Sequence, residues 1–136
     1  MTETSPRSPQ AFCLAAVDLG SNSFHLNITR VDHDQIGPIH TLSERVQLGE
    51  ETDSGALTPA AIGRGLACLK QFKQLLDETG PYAIRVVGTH ALRRAKNRSD
   101  FITPAEALLG TPIEILHGEE EARLIYTGVA QTLSDN

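Results

Sequence analysis

The sequence predicts an α/β fold: a mixed five-stranded sheet with helices on its faces, in the order βββαβαβα. Three strand patterns come first as a meander, and strands then alternate with helices through the second half. Strands that alternate with helices are joined by right-handed crossovers, which make that portion of the sheet parallel. At 136 residues the chain is one domain or part of one, and it is long enough to bury a core.

Three strands are predicted in the first half. The continuous apolar run Ala11 to Asp18 is typical of a strand that is buried on both faces. A tight turn at Leu19 to Ser23 leads into Phe24 to Val31, where apolar and polar residues alternate as in a half-buried strand. After a second turn at Asp32 to Gly37, a third strand is predicted from Ile39 to Leu48.

A long amphipathic helix is predicted next. Thr58 is a good N-cap, Pro59 suits the first helical position, and Gly80 with Pro81 ends the helix. One apolar stripe at helical spacing predicts the buried face: Ile62, Leu66, Leu69, Phe72 and Leu76.

The remaining elements are short. Buried strands are predicted at Ala83 to Val87 and at Pro112 to Leu116. The helix between them has two candidate starts, an N-cap at Ser99 and a capping-box pattern that begins at Thr103. A last helix is predicted to open at Gly118.

Composition excludes several classes of protein. The net charge of −5, from 12 basic and 17 acidic residues, gives no general help in binding nucleic acid. No apolar run approaches the ~20 residues that span a bilayer, and residues 1–10 are predicted to be a disordered polar tail rather than a signal peptide. Cys13 and Cys68 lie in apolar stretches, as thiols do in a reducing compartment, so a cytoplasmic location is expected.

The first motif that could carry chemistry follows the first strand. A Gly/Ser/Asn turn offers backbone N–H groups and hydroxyls to a phosphate, and an acid beside it could hold a divalent cation. The alternative is a plain hairpin turn, where the same residues are common for conformational reasons. The motif consists of Asp18 as the metal-binding acid and of Gly20, Ser21, Asn22 and Ser23 as phosphate-binding residues.

A basic segment follows the predicted strand at Ala83 to Val87. Open α/β sheets place ligands beyond the carboxyl ends of their strands, and guanidinium groups suit phosphate. The alternative is a solvated basic face. Four cations fall within six positions: Arg93, Arg94, Lys96 and Arg98.

The third motif is acidic and lies at the start of the last predicted helix. Glu119 and Glu120 can pair with Arg123 at spacings of four and three, whereas Glu121 has no such partner in the same turn. Carboxylates in a first helical turn often do no more than complement the helix dipole. An ionised Glu121 beside a bound phosphate could instead act as a general base.

Together the three motifs resemble the exopolyphosphatase / guanosine pentaphosphate phosphohydrolase family, and its bacterial exopolyphosphatases in particular. The resemblance covers about residues 11–130. The segments that carry it are Ala16 to His25, Val87 to Arg93, Pro112 to Leu116, and Gly118 with Glu120 to Ile125.

The resemblance implies a ribonuclease H-like / actin-like ATPase fold, shared with acetate kinase, sugar kinases, Hsp70 and actin. It also implies removal of the terminal phosphate of polyphosphate or guanosine pentaphosphate with a divalent metal, usually Mg²⁺. Glu121 matches the catalytic base and Arg93 a phosphate-binding arginine at the site. A long polyanion would extend over Arg94, Lys96 and Arg98, and we expect a homodimer for the full-length protein.

The family has a second phosphate loop, Asp-x-Gly-Gly-Gly-Ser and an acid, and this sequence stops before it at Asn136. We therefore expect residues 11–136 to be the first lobe of a larger enzyme. On its own, this lobe is expected to fold but to hydrolyse phosphate poorly or not at all. Two readings from other classes stay open: a nucleotide-binding module like the sugar kinases and actin, and a non-catalytic phosphate-binding module.

Overall fold

The computed structural model describes residues 11–32, 35–49 and 55–116. Within them the chain forms five strands and three helices. The elements are β1 (Phe12–Leu19), β2 (Ser23–Asp32), β3 (Gln35–Arg45), α1 (Pro59–Thr79), β4 (Ala83–Gly88), α2 (His90–Arg94), α3 (Ser99–Leu109) and β5 (Ile113–Ile115).

The strands form one mixed sheet in the order β3-β2-β1-β4-β5. β1, β2 and β3 are antiparallel neighbours, as the predicted meander requires. β4 lies parallel to β1, and β5 lies parallel to β4, as expected for strands joined through helices. The predicted sheet of five strands with a parallel portion is therefore confirmed.

The third strand differs from its predicted bounds. β3 begins at Gln35, directly opposite Asp32, so the connection is much shorter than the predicted turn. The register between β2 and β3 shifts at Ile28/Thr29, where His40 and Pro38 are the successive partners. A proline is tolerated there because β3 is an edge strand and the ladder is interrupted by a bulge. The break in regular alternation explains why the sequence pattern placed the start of this strand four residues late, at Ile39 instead of Gln35.

The core lies on one face of the sheet. Alternate residues of β1 are buried (Ala15, Val17 and Leu19), and their neighbours on the opposite face are partly exposed. The buried residues of α1 and α3 join the same hydrophobic cluster. In the described part of the chain, both longer helices thus cover a single face, and Asp18 belongs to the other face.

Helix α1 is bounded as predicted. The Thr58 hydroxyl accepts a hydrogen bond from the Ala61 N–H at 3.0 Å, and Gly80 closes the helix in a left-handed conformation. The buried face is centred slightly off the predicted stripe, since Ile62 and Leu66 are only partly buried. Its members are Ala61, Gly65, Cys68, Leu69, Phe72 and Leu76. Small residues at its centre let a neighbouring helix approach, which a stripe of large residues alone does not reveal.

Helix α3 begins at Ser99 with Arg98 at its N-cap, so the candidate start at Thr103 is wrong and the candidate N-cap at Ser99 is one residue late. Pro104 lies inside the helix. The first hydrogen bonds of the helix are donated by the N–H groups of Asp100 and Phe101 to the carbonyls of Asn97 and Arg98. The last predicted helix lies outside the described residues. Among the helices that the structure describes, none combines the length and apolarity that a membrane crossing needs.

Candidate functional site

The register of the parallel strands brings two of the predicted motifs to one edge of the sheet. Asp18 of β1 lies opposite Val87 of β4, and Leu19 lies opposite Gly88. Both strands therefore end at the same level, and the segments that follow them emerge side by side. β5 ends at that level too, since Gly88 pairs with Ile115 and its carbonyl accepts from the Leu116 N–H at 2.8 Å.

The turn after β1 is tight. The Gly20 N–H donates to the carbonyl of Ser23 at 3.1 Å. A Cβ on Gly20 would lie 2.9 Å from that same carbonyl oxygen, so the turn has no room for a larger residue. The Ser21 hydroxyl oxygen is buried and has no hydrogen-bond partner within the described residues. A buried hydroxyl in that situation is costly unless a ligand or water completes its hydrogen bonds.

A segment after β3 (residues 46–49) holds the other side of this turn. The N–H groups of Val46 and Gln47 donate to the Asn22 carbonyl at 3.0 and 2.9 Å, and the Gly49 N–H donates to the Ser21 carbonyl at 2.9 Å. Because a trans peptide points its N–H opposite to its C=O, these bonds direct the N–H groups of Asn22 and Ser23 away from the segment. The turn thus presents amide donors on its other side, as an anion-binding loop does.

Asp18 is the last residue of β1 on the face of the sheet that lies opposite the core. Its Oδ1 atom is buried, and the antiparallel register places His25 of β2 directly opposite it on the same face. Sequence spacing gave no reason to connect these two residues, because only the strand register brings them together. Among the described residues, no group of three His, Cys, Asp or Glu could enclose a metal ion.

The donor set nevertheless fits Mg²⁺ in one common arrangement. Mg²⁺ is usually held by one or two carboxylates together with waters and the oxygens of a substrate phosphate, rather than by a cage of protein ligands. Asp18 supplies one carboxylate, and the buried Ser21 hydroxyl lies in the turn that follows it. A metal shared between Asp18 and a bound phosphate is consistent with these residues.

The basic segment after β4 divides into two parts. Arg93 and Arg94 form the last turn of α2, where Arg93 is half-buried and Arg94 is exposed. Helix α2 lies beside the turn at Gly20 to Ser23, with Gly49 between them. A Cβ on Gly49 would be 3.0 Å from the Ser21 Cβ of the turn and 3.5 Å from the Ala91 Cβ of α2. Arg93 follows Ala91 by two residues in this helix, and its half-buried position differs from that of a fully solvated basic residue.

Lys96 and Arg98 are exposed and belong to the connection between α2 and α3. This connection is tied to the segment before α1. The Asn97 side chain accepts from the Leu57 N–H at 2.7 Å and donates to the Leu57 carbonyl at 3.1 Å, while the Lys96 N–H donates to the Gly55 carbonyl at 3.2 Å. The sequence did not single out Asn97. Its partner is forty positions away, so no local signal could have found it.

The predicted base, Glu121, lies outside the described residues, together with the rest of the acidic motif. Of the other predicted site residues, the structure places Asp18 and the turn at Gly20 to Ser23 at the sheet edge where β4 also ends, and helix α2, which carries Arg93, follows β4 there. Arg94, Lys96 and Arg98 continue from that edge along the chain with exposed side chains.

Comparison with known proteins shows which family the chain resembles in sequence and fold. The model of the Ppx/GppA phosphatase family matches residues 27–136. The crystal structure of the Aquifex aeolicus member of that family is similar with 30% identity and a TM-score of 0.80, over 89% of this chain and 40% of that one. An exopolyphosphatase from Cytophaga hutchinsonii is similar with 32% identity and a TM-score of 0.77, over 88% of this chain and 38% of that one.

The chain thus spans about two fifths of the length of these two structures. Its sheet is of the ribonuclease H-like / actin-like ATPase type, as the resemblance implied. The sheet edge brings a tight Gly-Ser-Asn turn beside helix α2, which carries a half-buried arginine. Because the family model matches most of the sequence, this chain belongs to the Ppx/GppA phosphatase family.

Proposed function

We propose that this chain contributes the first phosphate-binding edge and the catalytic base of an exopolyphosphatase, which hydrolyses the terminal phosphate of inorganic polyphosphate with Mg²⁺. The observation that carries the proposal is the parallel register of β1 and β4, which brings the turn at Gly20 to Ser23 and helix α2 to one edge. Family membership supplies the reaction class, and the Cytophaga hutchinsonii neighbour is named an exopolyphosphatase.

The residues have separate roles in this proposal. The amide groups of the turn and the Ser21 hydroxyl bind oxygens of the terminal phosphate, and Arg93 binds the same group through its guanidinium. Glu121 takes a proton from a water whose oxygen attacks the terminal phosphorus, and the bond to the bridging oxygen breaks as the shortened chain leaves. A Mg²⁺ held by Asp18 would offset the negative charge on the transferred phosphoryl group.

The exposed cations beyond the edge suit the rest of a long substrate. Arg94, Lys96 and Arg98 follow one another at short spacing, and their side chains are accessible to a polyanion. A chain of phosphates could bind there through charge alone, without shape-specific contacts. A cytoplasmic location and a homodimer of the full-length protein remain predictions that accompany this proposal.

The test is phosphate release by the full-length gene product from polyphosphate, guanosine pentaphosphate and ATP, with and without Mg²⁺. We expect release from polyphosphate that requires the metal and stops in the Glu121→Gln variant, while polyphosphate binding is kept. Glu119→Gln is the matched control, since it removes a neighbouring carboxylate of the same motif and should leave the rate unchanged.

Other results would redirect the proposal. Preferential release from guanosine pentaphosphate would identify that nucleotide as the substrate. Transfer from ATP to another acceptor would favour the kinase-like class. Polyphosphate binding without any release by the full-length product would leave a phosphate-binding module.

A further inference from the structure

Arg64 of α1 contacts the segment that holds the candidate phosphate turn. Its Nε–H donates to the Val46 carbonyl at 2.7 Å, and its Nη2 donates to the Gln47 carbonyl at 3.1 Å. Both bonds are long-range in sequence, so they fix the end of β3 against a helix of the core. Charge-assisted bonds from a guanidinium are stronger than bonds between neutral groups, and its planar fork fixes the direction of both donors.

The same two residues bind the turn through their other backbone groups. The N–H groups of Val46 and Gln47 both donate to the Asn22 carbonyl, at 3.0 and 2.9 Å. The peptide group between Val46 and Gln47 therefore lies within a chain of hydrogen bonds: its carbonyl accepts from the Arg64 guanidinium, and its N–H donates to the Asn22 carbonyl of the turn. A displacement of the Val46 carbonyl would shift the Gln47 N–H, the Asn22 carbonyl that it binds, and the Ser23 amide on the same peptide plane as that carbonyl.

Gln47 shows that this arrangement opposes the intrinsic preference of the chain. Its φ is 56°, and it is the only residue other than glycine with a positive φ in the described part of the chain. A residue with a side chain pays a steric penalty in this region and stays there only when its surroundings impose it. The Gln47 side chain is exposed, while its backbone is held by Arg64 at the carbonyl and by Asn22 at the N–H.

We propose that Arg64 is a positioning residue for the phosphate turn, acting through the backbone of Val46 and Gln47 rather than by touching the substrate. The inference rests on the proposed function, because it assigns the turn at Gly20 to Ser23 to phosphate. The proposal adds a structural requirement for phosphate binding beyond the residues that touch the substrate. The amide donors of the turn are correctly directed only while α1 holds the segment after β3.

The first test is hydrogen exchange in the full-length protein, measured on peptides that cover residues 18–24 and 44–49. Arg64→Met should raise exchange in both peptides. Lys73→Met is the matched control, since Lys73 is a cation on the same helix whose 3.1 Å ion pair with Asp77 is remote from the turn, and it should change neither peptide. Unchanged exchange at residues 18–24 in Arg64→Met would overturn the proposal, whatever the activity of the protein.

The second test is kinetic. Arg64→Met should lower kcat/KM for polyphosphate by about ten- to a hundredfold, because small displacements of positioning groups have effects of that size. Arg64→Lys, which keeps the charge and can still reach a carbonyl, should lose less. Both assays are made below the unfolding temperature of each variant, so that loss of folded protein does not contribute.

The third test separates positioning from a purely structural role. Glycine adopts the positive φ of residue 47 without strain. Adding Gln47→Gly to Arg64→Met should therefore raise kcat/KM about fivefold above the value of Arg64→Met alone. A purely structural Arg64 predicts no recovery, and that result would overturn the proposal. If the wild-type protein released no phosphate from polyphosphate, the proposed function would fail, while the exchange experiment would still decide the role of Arg64.

Discussion

Replacing Gly65 by alanine tests whether α1 and α3 are held at their observed separation by the absence of a side chain. An alanine Cβ at this position would lie 2.7 Å from Cε1 of Phe101 and 3.4 Å from Cε2 of Phe24. Both rings are fully buried and pack on each other with centroids 6.0 Å apart. The Phe101 ring therefore cannot move away from the new methyl group without displacing Phe24 or the α3 backbone.

The matched control is Gly63→Ala, two positions earlier in the same helix, where a Cβ would meet nothing within 4 Å. Both substitutions gain the helix propensity of alanine over glycine, about 1 kcal/mol. Only Gly65→Ala adds overpacking, which costs about 1–3 kcal/mol in a dense core. The Gly63 variant should be more stable than wild type by about 1 kcal/mol. The Gly65 variant should be less stable than the Gly63 variant by about 1–3 kcal/mol.

Urea unfolding followed by far-UV circular dichroism measures the difference, since the chain has no tryptophan to report by fluorescence. Equal m-values for the two variants would show that their denatured states are comparable. If the two free energies of unfolding agreed within about 0.5 kcal/mol, the close approach of α1 and α3 would not depend on Gly65, and the packing argument would be refuted.

Three further predictions concern the turn at Gly20, the hydrogen bonds between Asn97 and Leu57, and the buried thiol of Cys68. Gly20→Ala should weaken polyphosphate binding by at least about tenfold, because its Cβ would meet the Ser23 carbonyl; calorimetric titration showing wild-type affinity would contradict this. Asn97→Ala should lower the free energy of unfolding by about 1–3 kcal/mol, since the Leu57 N–H and carbonyl lose their partner. A decrease below about 0.5 kcal/mol in urea unfolding would show that these two hydrogen bonds contribute little to stability. Burial, reinforced by nearby negative charge, raises the pKa of the Cys68 thiol from 9.0 to about 12, so the folded state keeps a proton that the unfolded state releases. The stability linked to that proton is complete below pH 9 and is lost as the pH rises towards 12. The unfolding free energy of Cys68→Ala should therefore fall less steeply than that of wild type between pH 9 and 11, and identical slopes would exclude the raised pKa of Cys68.

Local patterns were sufficient for the elements with regular periodicity. The caps at Thr58 and Gly80 fixed both ends of α1, because each cap satisfies hydrogen bonds that the helix leaves open at its terminus. The third strand was predicted, but its start was placed four residues late, because a bulge interrupts its alternation and Pro38 has no ladder N–H to offer. The wrong start at Thr103 has a similar cause: Pro104, five residues after the first residue of α3, resembles a helix beginning when only neighbouring residues are considered.

The sequence by itself determined the fold class, the family resemblance and the residue types of the candidate site, because periodicity, turn chemistry and short motifs are local properties. Only the tertiary structure decided which residues meet. Strand register placed His25 beside Asp18, and Gly49 brought the first turn against α2. Arg64, which no motif identified, reaches the turn only through the backbone of another segment. Hydrogen bonds between distant segments depend on how the sheet and helices pack, and no pattern along a single stretch of chain records that packing.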